Sequence, residues 1–160
     1  MRFRFLSFTL GLTLPLAALA APQAPDLVGA WTCGPYETPG PDLSASTIDR
    51  RVYSDDGYFT EHSFVTYTRE GLQIRTETRN TGTWSLQGDL IEVRFNTSKF
   101  LSSDHPAFSV AHGQATLDAM RARKNTETQR ILQFDGQSML TVPAVAADQR
   151  TEVQVPCSRG

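Results

Sequence analysis

The residues of this chain whose chemistry is easiest to predict are two cysteines, which can form a disulfide. Cys33 and Cys157 stand near the two ends of the sequence that follows an apolar N-terminal segment, and the chain has no other cysteine. An even count in an exported protein favours one structural disulfide, and disulfides persist in oxidising compartments. The pair therefore predicts a covalent link between the first and last strands of one domain.

The three histidines do not follow a regular metal-binding pattern. His105 and His112, with Asp104, could form a surface site, but zinc ligands are normally closer and more regularly spaced. We therefore expect neither a metal nor a cofactor. His62 alternates with Phe64 on one face of a predicted strand, which predicts a hydrogen-bonded histidine in the interior.

Catalytic groups are equally sparse. The sequence has no G-x-S-x-G nucleophile elbow, and the predicted disulfide uses both thiols. Carboxylates occur on polar strand faces, at Glu61, Glu77, Glu92 and Glu152. A facing pair could do acid–base chemistry as in glycosidases, but that depends on a separation that spacing in the chain does not provide. We therefore predict no catalytic residues and a non-enzymatic protein.

The N-terminus has the form of an export signal. Arg2 and Arg4 precede an apolar run from Phe5 to Leu16, and Ala18-Leu19-Ala20 is a typical cleavage site. The run is shorter than the roughly 20 residues of a membrane span. We expect cleavage near Ala20 and a periplasmic or secreted protein without a membrane span.

The rest of the chain is expected to form a short flexible leader, residues 21–26, and a single domain, residues 27–160. The whole chain carries 15 Lys and Arg against 17 Asp and Glu, a formal net charge of −2. Nucleic-acid-binding proteins usually show a basic excess, so this mildly acidic balance argues against a nucleic-acid partner.

Short segments rich in β-branched and aromatic residues, separated by turn residues, predict an all-β fold. The expected strands are Leu27–Cys33, Thr47–Tyr53, Tyr58–Thr68, Leu72–Thr78, Thr83–Leu86, Leu90–Phe95, Thr128–Phe134, Ser138–Val142 and Thr151–Pro156. Regular spacing without βαβ alternation predicts an antiparallel meander closed into a small barrel of about 8–9 strands, with a sandwich as second choice.

Between the sixth and seventh strands the sequence predicts one helical insert. Asp104 or His105 is expected to cap it, Gly113 to interrupt it, and residues 115–124 to continue it. Two further breaks are expected in the sheet: Gly34-Pro35 should end the first strand, and Asn80-Thr81-Gly82 should form a turn.

The first strand carries a known signature. Gly29-Ala30-Trp31 in an exported antiparallel β domain resembles the G-x-W motif that opens lipocalins and related barrels. The resemblance implies that the tryptophan closes one barrel end and that an arginine near the last strand, Arg150 or Arg159, packs across it. It also implies a small apolar ligand inside the barrel. Trp84, which follows a second strand-opening glycine, is expected to be buried as well.

An alternative function is a protein-binding inhibitor or immunity protein that blocks an envelope-acting enzyme. Loops and inserts on a rigid scaffold commonly carry recognition, and the longest interruptions of the meander are the loop after the first strand and the helical insert. The helix is expected to pack Leu117 and Met120 on the barrel and to present basic residues to solvent. The candidate partner surface is Tyr36, Glu37, Asp42, Arg121, Arg123 and Lys124.

Overall fold

The computed structural model describes residues 22–106, 108–144 and 153–160. The predicted signal segment, Arg150 and Glu152 lie outside these ranges. The eight strands are β1 Gly29–Thr38, β2 Ser44–Tyr53, β3 Tyr58–Arg69, β4 Leu72–Gln87, β5 Leu90–Ser103, β6 Thr126–Phe134, β7 Ser138–Pro143 and β8 Val155–Arg159. The two helices are α1 Ala24–Leu27 and α2 Val110–Arg123.

The strands form a closed antiparallel barrel in chain order, in which β8 pairs with β1. This confirms the predicted all-β meander and its closure. Cys33 lies directly opposite Cys157 in the β1–β8 pair, and a disulfide joins them with their Cα atoms 3.9 Å apart. The disulfide therefore crosses the seam at which the two ends of the sheet meet, as predicted.

The predicted turn at Asn80-Thr81-Gly82 is wrong, because β4 runs through it without interruption. At Gly82 the neighbouring strand bulges, and its backbone approaches so closely that a Cβ would lie 2.1 Å from the carbonyl oxygen of Arg94. A glycine inside a strand often marks such a close backbone approach. One long strand therefore replaces two predicted ones, and the barrel has eight strands.

The predicted end of the first strand at Gly34-Pro35 is also wrong. β1 continues to Thr38, and a bulge between Cys33 and Tyr36 absorbs the Gly-Pro pair, whose peptide bond is cis. A bulge lets residues unsuited to a regular ladder remain inside a strand. As a result Tyr36 belongs to the barrel wall, and the loop before β2 covers only residues 39–43.

One end of the barrel, the end where β1 begins, is closed by Trp31, which is 1% exposed. Its indole Nε1 donates to the carbonyl of Leu27 in α1, 2.8 Å away. The guanidinium carbon of Arg159 lies 4.6 Å from the centre of the Trp31 ring, a cation–π contact of about 0.5–2 kcal/mol. Of the two candidate arginines, Arg159 therefore packs across Trp31, and Arg150 lies outside the described residues. The nitrogens of Arg159 also donate to the carbonyls of Asp26, Val28 and Gly136.

The second tryptophan lies in the same half of the barrel. Trp84 is 9% exposed, donates from Nε1 to the carbonyl of Ser54 at 2.9 Å, and packs edge-on against Tyr53. The burial predicted for both tryptophans is confirmed. α1, which supplies the buried Leu27, occupies part of the segment expected to be a flexible leader.

Helix α2 begins later than predicted. Its N-cap is Ser109, whose hydroxyl accepts from the backbone N–H of His112 at 3.2 Å. Asp104 instead accepts the backbone N–H of Arg75 at 2.8 Å, beside the beginning of β4. Because the Asp104 carboxylate accepts a hydrogen bond from the backbone of β4, it does not cap the helix.

Gly113 does not interrupt α2; the helix is continuous through it and packs there on β5. A Cβ on Gly113 would lie 2.5 Å from a ring carbon of Phe100, so the missing side chain allows the close approach. The amide of Gln114 then pairs with the β5 backbone, accepting from the N–H of Phe100 at 2.8 Å and donating to the carbonyl of Ser98 at 3.0 Å. These bonds dock the helix at the barrel end opposite Trp31, here called the open end.

Candidate functional site

The half of the barrel nearer the open end contains a cavity of about 570 Å³. This volume lies within the roughly 300–1,000 Å³ typical of small-molecule sites. By contrast, side chains fill the other half, where the space bounded by Tyr53, Phe59 and Ile91 has no room for a water molecule. The cavity is therefore a pocket with a floor at mid-barrel and a mouth beneath α2.

The cavity wall is largely apolar. β3 contributes Val65 and Tyr67, and β4 contributes Ile74. Helix α2 lies across the mouth and lines it with Thr116, Leu117 and the exposed Met120. The remaining apolar and aromatic contributors are Tyr36, Leu43, Ala45, Phe100 and Phe108.

The floor, in contrast, is a buried charged cluster centred on Arg51. Its Nη2 donates to Asp49 at 2.8 Å, its Nε to Glu61 at 3.0 Å, and its Nη1 to the side-chain carbonyl of Gln129 at 3.0 Å. Glu127 lies 3.8 Å from Nη2. Burying a charge is costly unless it is paired and hydrogen-bonded, and each nitrogen of this guanidinium has a partner.

Strand alternation explains how these residues meet. β2 alternates Thr47, Asp49 and Arg51 with Ile48, Arg50 and Val52, and the polar set is the buried one. In a hollow barrel the polar face can point inward, because the interior holds both a charge network and a cavity. Alternation alone identifies the two faces of a strand without identifying which is inside.

Neighbouring polar groups complete the network. Tyr36 donates its hydroxyl to Asp49 at 3.0 Å, and Asn80 donates from Nδ2 to Glu61 at 2.8 Å. Among the buried side-chain nitrogens and oxygens of the described residues, Asn80 Oδ1 has no hydrogen-bond partner. Asn80 is 2% exposed and lines the cavity, but this oxygen is itself buried, so the cluster contains one unsatisfied acceptor behind the cavity surface.

Burial and neighbouring charges shift the pKa values of the titratable side chains in this cluster. It raises the pKa of Glu61 to about 7, because the desolvated carboxylate and its neighbours Asp49 and Glu127 outweigh the opposing effect of Arg51. Burial acts to lower the pKa of Arg51, but Glu61 and Asp49 outweigh it and the pKa rises. Burial also raises the pKa of Tyr36. Arg51 is thus a permanent cation facing a carboxyl that titrates near neutrality.

The titration of Glu61 should appear in the stability of the protein. Between its ordinary pKa of 4.5 and about 7, the folded state binds more protons at this site than the unfolded state. The contribution of Glu61 to the free energy of unfolding therefore falls as pH rises through that window, by about 3 kcal/mol.

We expect urea unfolding to reveal this by comparison with Glu61→Gln, which cannot titrate. The stability of the wild type minus that of the variant should decline from about pH 4 to about pH 8. Glu92→Gln, on the exposed face of β5, is the matched control and should leave the pH profile unchanged. A difference between wild type and Glu61→Gln that stays constant with pH would contradict the assignment.

The predicted partner surface divides between the inside and the outside of the barrel. Tyr36 lies inside, whereas Glu37, Asp42, Arg123 and Lys124 are exposed. Arg121 does not point to solvent as expected: its guanidinium stacks 3.6 Å from the centre of the Phe95 ring, and its Nε donates to Ser98 at 3.0 Å. It lines the cavity mouth.

The histidine prediction is wrong for His62. Its face of β3 points outward, where the ring contacts Phe64 and its Nε2 pairs with Glu77. Glu61 and Ser63 take the inward positions. Within the described ranges no group of three or more His, Cys, Asp or Glu is arranged to hold a metal ion.

Sequence reasoning missed the charged floor. The sequence predicts only that Glu61 lies on a polar strand face and that Asn80 lies in a turn, and it indicates no site role for Arg51. The available signal was the alternation of Asp49 and Arg51 with Ile48 and Val52, which is compatible with either orientation.

Comparison of the chain with protein-family models and with curated proteins found no match. None of the helices in the described part of the chain has the length and apolar character needed to cross a membrane.

Proposed function

We propose that this protein is a non-enzymatic binding protein that holds a small, largely apolar ligand inside a lipocalin-like barrel. The observation that carries the proposal is the 570 Å³ cavity in the open half of the barrel. Its apolar wall suits a hydrophobic body, and a few convergent polar groups on its floor are typical of groups that orient a ligand.

The closed barrel end supports the lipocalin resemblance. Trp31 plugs that end, and Arg159 packs across its ring, which is the arrangement that the G-x-W motif implies. The filled half of the barrel thus supports the hollow half. Helix α2 lies across the cavity mouth, where it would limit access to the cavity.

We also propose that the protein works in the bacterial envelope, in the periplasm or outside the cell. The Cys33–Cys157 disulfide supports this location, because such bonds are rare in reducing compartments. The N-terminal sequence pattern, which lies outside the described residues, is the second support.

Native mass spectrometry of the protein purified from its own envelope provides the first test. The expected spectrum shows the intact chain with an added mass of a small molecule. The protein-binding alternative would instead give the mass of a second protein, and the exposed Glu37, Asp42, Arg123 and Lys124 would be its candidate contacts. That result would contradict the ligand proposal.

A cavity-filling substitution provides the second test. Val65 lines the cavity, and the next residue of β3, Thr66, lies on the opposite face. Val65→Trp should weaken binding of the neutral fluorescent probe phenylnaphthylamine by at least about tenfold, because the indole occupies the pocket. Thr66→Trp is the matched control and should bind the probe like the wild type. Equal binding by both variants would place the probe outside the cavity.

A further inference from the structure

We propose that Arg121 on helix α2 binds a carboxylate, so that the ligand of the cavity is an apolar carboxylic acid in its ionised form. The inference rests on the proposed function and adds the chemistry of the ligand's head group. Three features of Arg121 carry it: the way its guanidinium is held, the two nitrogens that have no partner, and the burial of its charge.

The guanidinium of Arg121 is held in one place beside the cavity, which its side chain lines. Its Nε donates to the hydroxyl of Ser98 at 3.0 Å, and its Cζ lies 3.6 Å from the centre of the buried Phe95 ring. Both partners belong to β5. Because these contacts already fix the guanidinium, binding of a ligand to it costs little additional side-chain entropy.

The terminal nitrogens of Arg121, Nη1 and Nη2, are not used by the protein. Among the described residues, its side chain makes a hydrogen bond through Nε alone, and no carboxylate lies within ion-pair distance of it. The N–H groups on both terminal nitrogens are therefore available as donors. A carboxylate can accept from two such nitrogens at once, which gives a strong and directional contact.

The other charged side chains that line the cavity are Asp49, Arg51, Glu61 and Glu127. Each of them already has a hydrogen-bond partner inside the protein. A ligand amine would therefore compete with existing donors for these carboxylates. A ligand carboxylate instead meets the two Arg121 nitrogens that have no acceptor.

The surroundings of Arg121 also favour an anion next to it. Burial lowers the pKa of Arg121, and the opposing effect of Glu61 and Glu127 does not reverse the shift. The positive charge is therefore less stable in this position than in water. A carboxylate at Nη1 and Nη2 would compensate it, and the attraction is stronger in a poorly solvated site than in bulk solvent.

The test is a head-group series with one common tail: decanoate, decanol and decylamine, measured by isothermal titration calorimetry on the mature oxidised protein. At about pH 6 decanoate is ionised, because a simple carboxyl group has a pKa of about 4. Glu61, with its pKa of about 7, is then mostly protonated and repels the head group little. We expect decanoate to bind at least about tenfold more tightly than decanol, and more tightly than decylamine.

Two substitutions on the same helix locate the head group. Arg121→Gln removes the proposed partner and should weaken binding of decanoate by at least about tenfold while leaving decanol within about twofold. Arg123→Gln, which removes the same charge from an exposed position in the last turn of α2, is the matched control and should change the binding of neither compound.

The outcomes separate the head-group proposal from the proposed function. Equal binding of the three compounds, or tightest binding of decylamine, overturns the carboxylate assignment and leaves the cavity as a binding site. Equal effects of Arg121→Gln and Arg123→Gln on decanoate also overturn it, as does an Arg121→Gln variant that loses decanol as much as decanoate. Failure of all three compounds and of phenylnaphthylamine to bind overturns both proposals.

Discussion

Replacing Cys33 and Cys157 together by alanine is expected to lower the free energy of unfolding by about 4–5 kcal/mol. The bond joins residues 124 positions apart, so its loss releases almost the whole domain from a loop constraint on the unfolded chain. It also removes the covalent link across the β1–β8 seam, where the pairing covers only three residue pairs.

Urea unfolding of the oxidised wild type, the reduced wild type and the double variant measures this effect. The reduced wild type keeps both cysteine side chains in the core, so it separates the loss of the cross-link from the loss of packing at the two sites. Agreement between the reduced protein and the variant is expected. A loss under about 1 kcal/mol in both would show that the disulfide contributes little to stability.

Arg51→Met is expected to cost about 3–5 kcal/mol, because it leaves buried carboxylates without their cation. Asp49 and Glu61, which are 2% and 7% exposed, would lose the partner that balances their burial. The loss should shrink at low pH, where the Glu61 carboxyl, whose pKa burial raises to about 7, is protonated. Urea unfolding at about pH 5 and about pH 8 measures both the size and the pH dependence.

The adjacent arginine provides a matched control. Arg50 lies on the outer face of β2, where it is exposed and packs over Phe64, so Arg50→Met should change stability by no more than about 0.5 kcal/mol. Adding Asp49→Asn and Glu61→Gln to Arg51→Met should recover much of the lost stability, because the orphaned charges are gone. Equal losses for Arg50→Met and Arg51→Met would contradict the buried-cluster assignment.

The charged floor also links stability to binding. A buried cluster centred on one arginine is a costly way to fill a barrel, and replacing such clusters with apolar side chains is often neutral or stabilising in other proteins. Here the cluster lies between the filled half and the hollow half of the barrel, and Asp49, Arg51, Glu61 and Glu127 line the cavity. A ligand bound in the cavity would stabilise the folded protein by mass action.

Local sequence patterns determined the sheet and its closure. Alternation, turn residues and the absence of βαβ spacing predicted an antiparallel meander, and the two cysteines predicted which strands meet. The resemblance carried by Gly29-Ala30-Trp31 implied burial of Trp31 and packing of Arg150 or Arg159 across it, and the structure shows Arg159 in that contact. These features depend on short-range periodicity or on covalent chemistry, and both are visible in one sequence.

The tertiary structure decided how glycine acts within a strand and within the helix, and which strand faces point inward. Gly82 and Gly113 look like breakers in the sequence, but each allows a close contact with a distant segment, the Arg94 carbonyl in one case and the Phe100 ring in the other. Likewise, the polar face of β2 is inside because seven other strands enclose it together with Glu61, Gln129 and a cavity. A period of two distinguishes two faces, but only the complete barrel determines which of them is the interior.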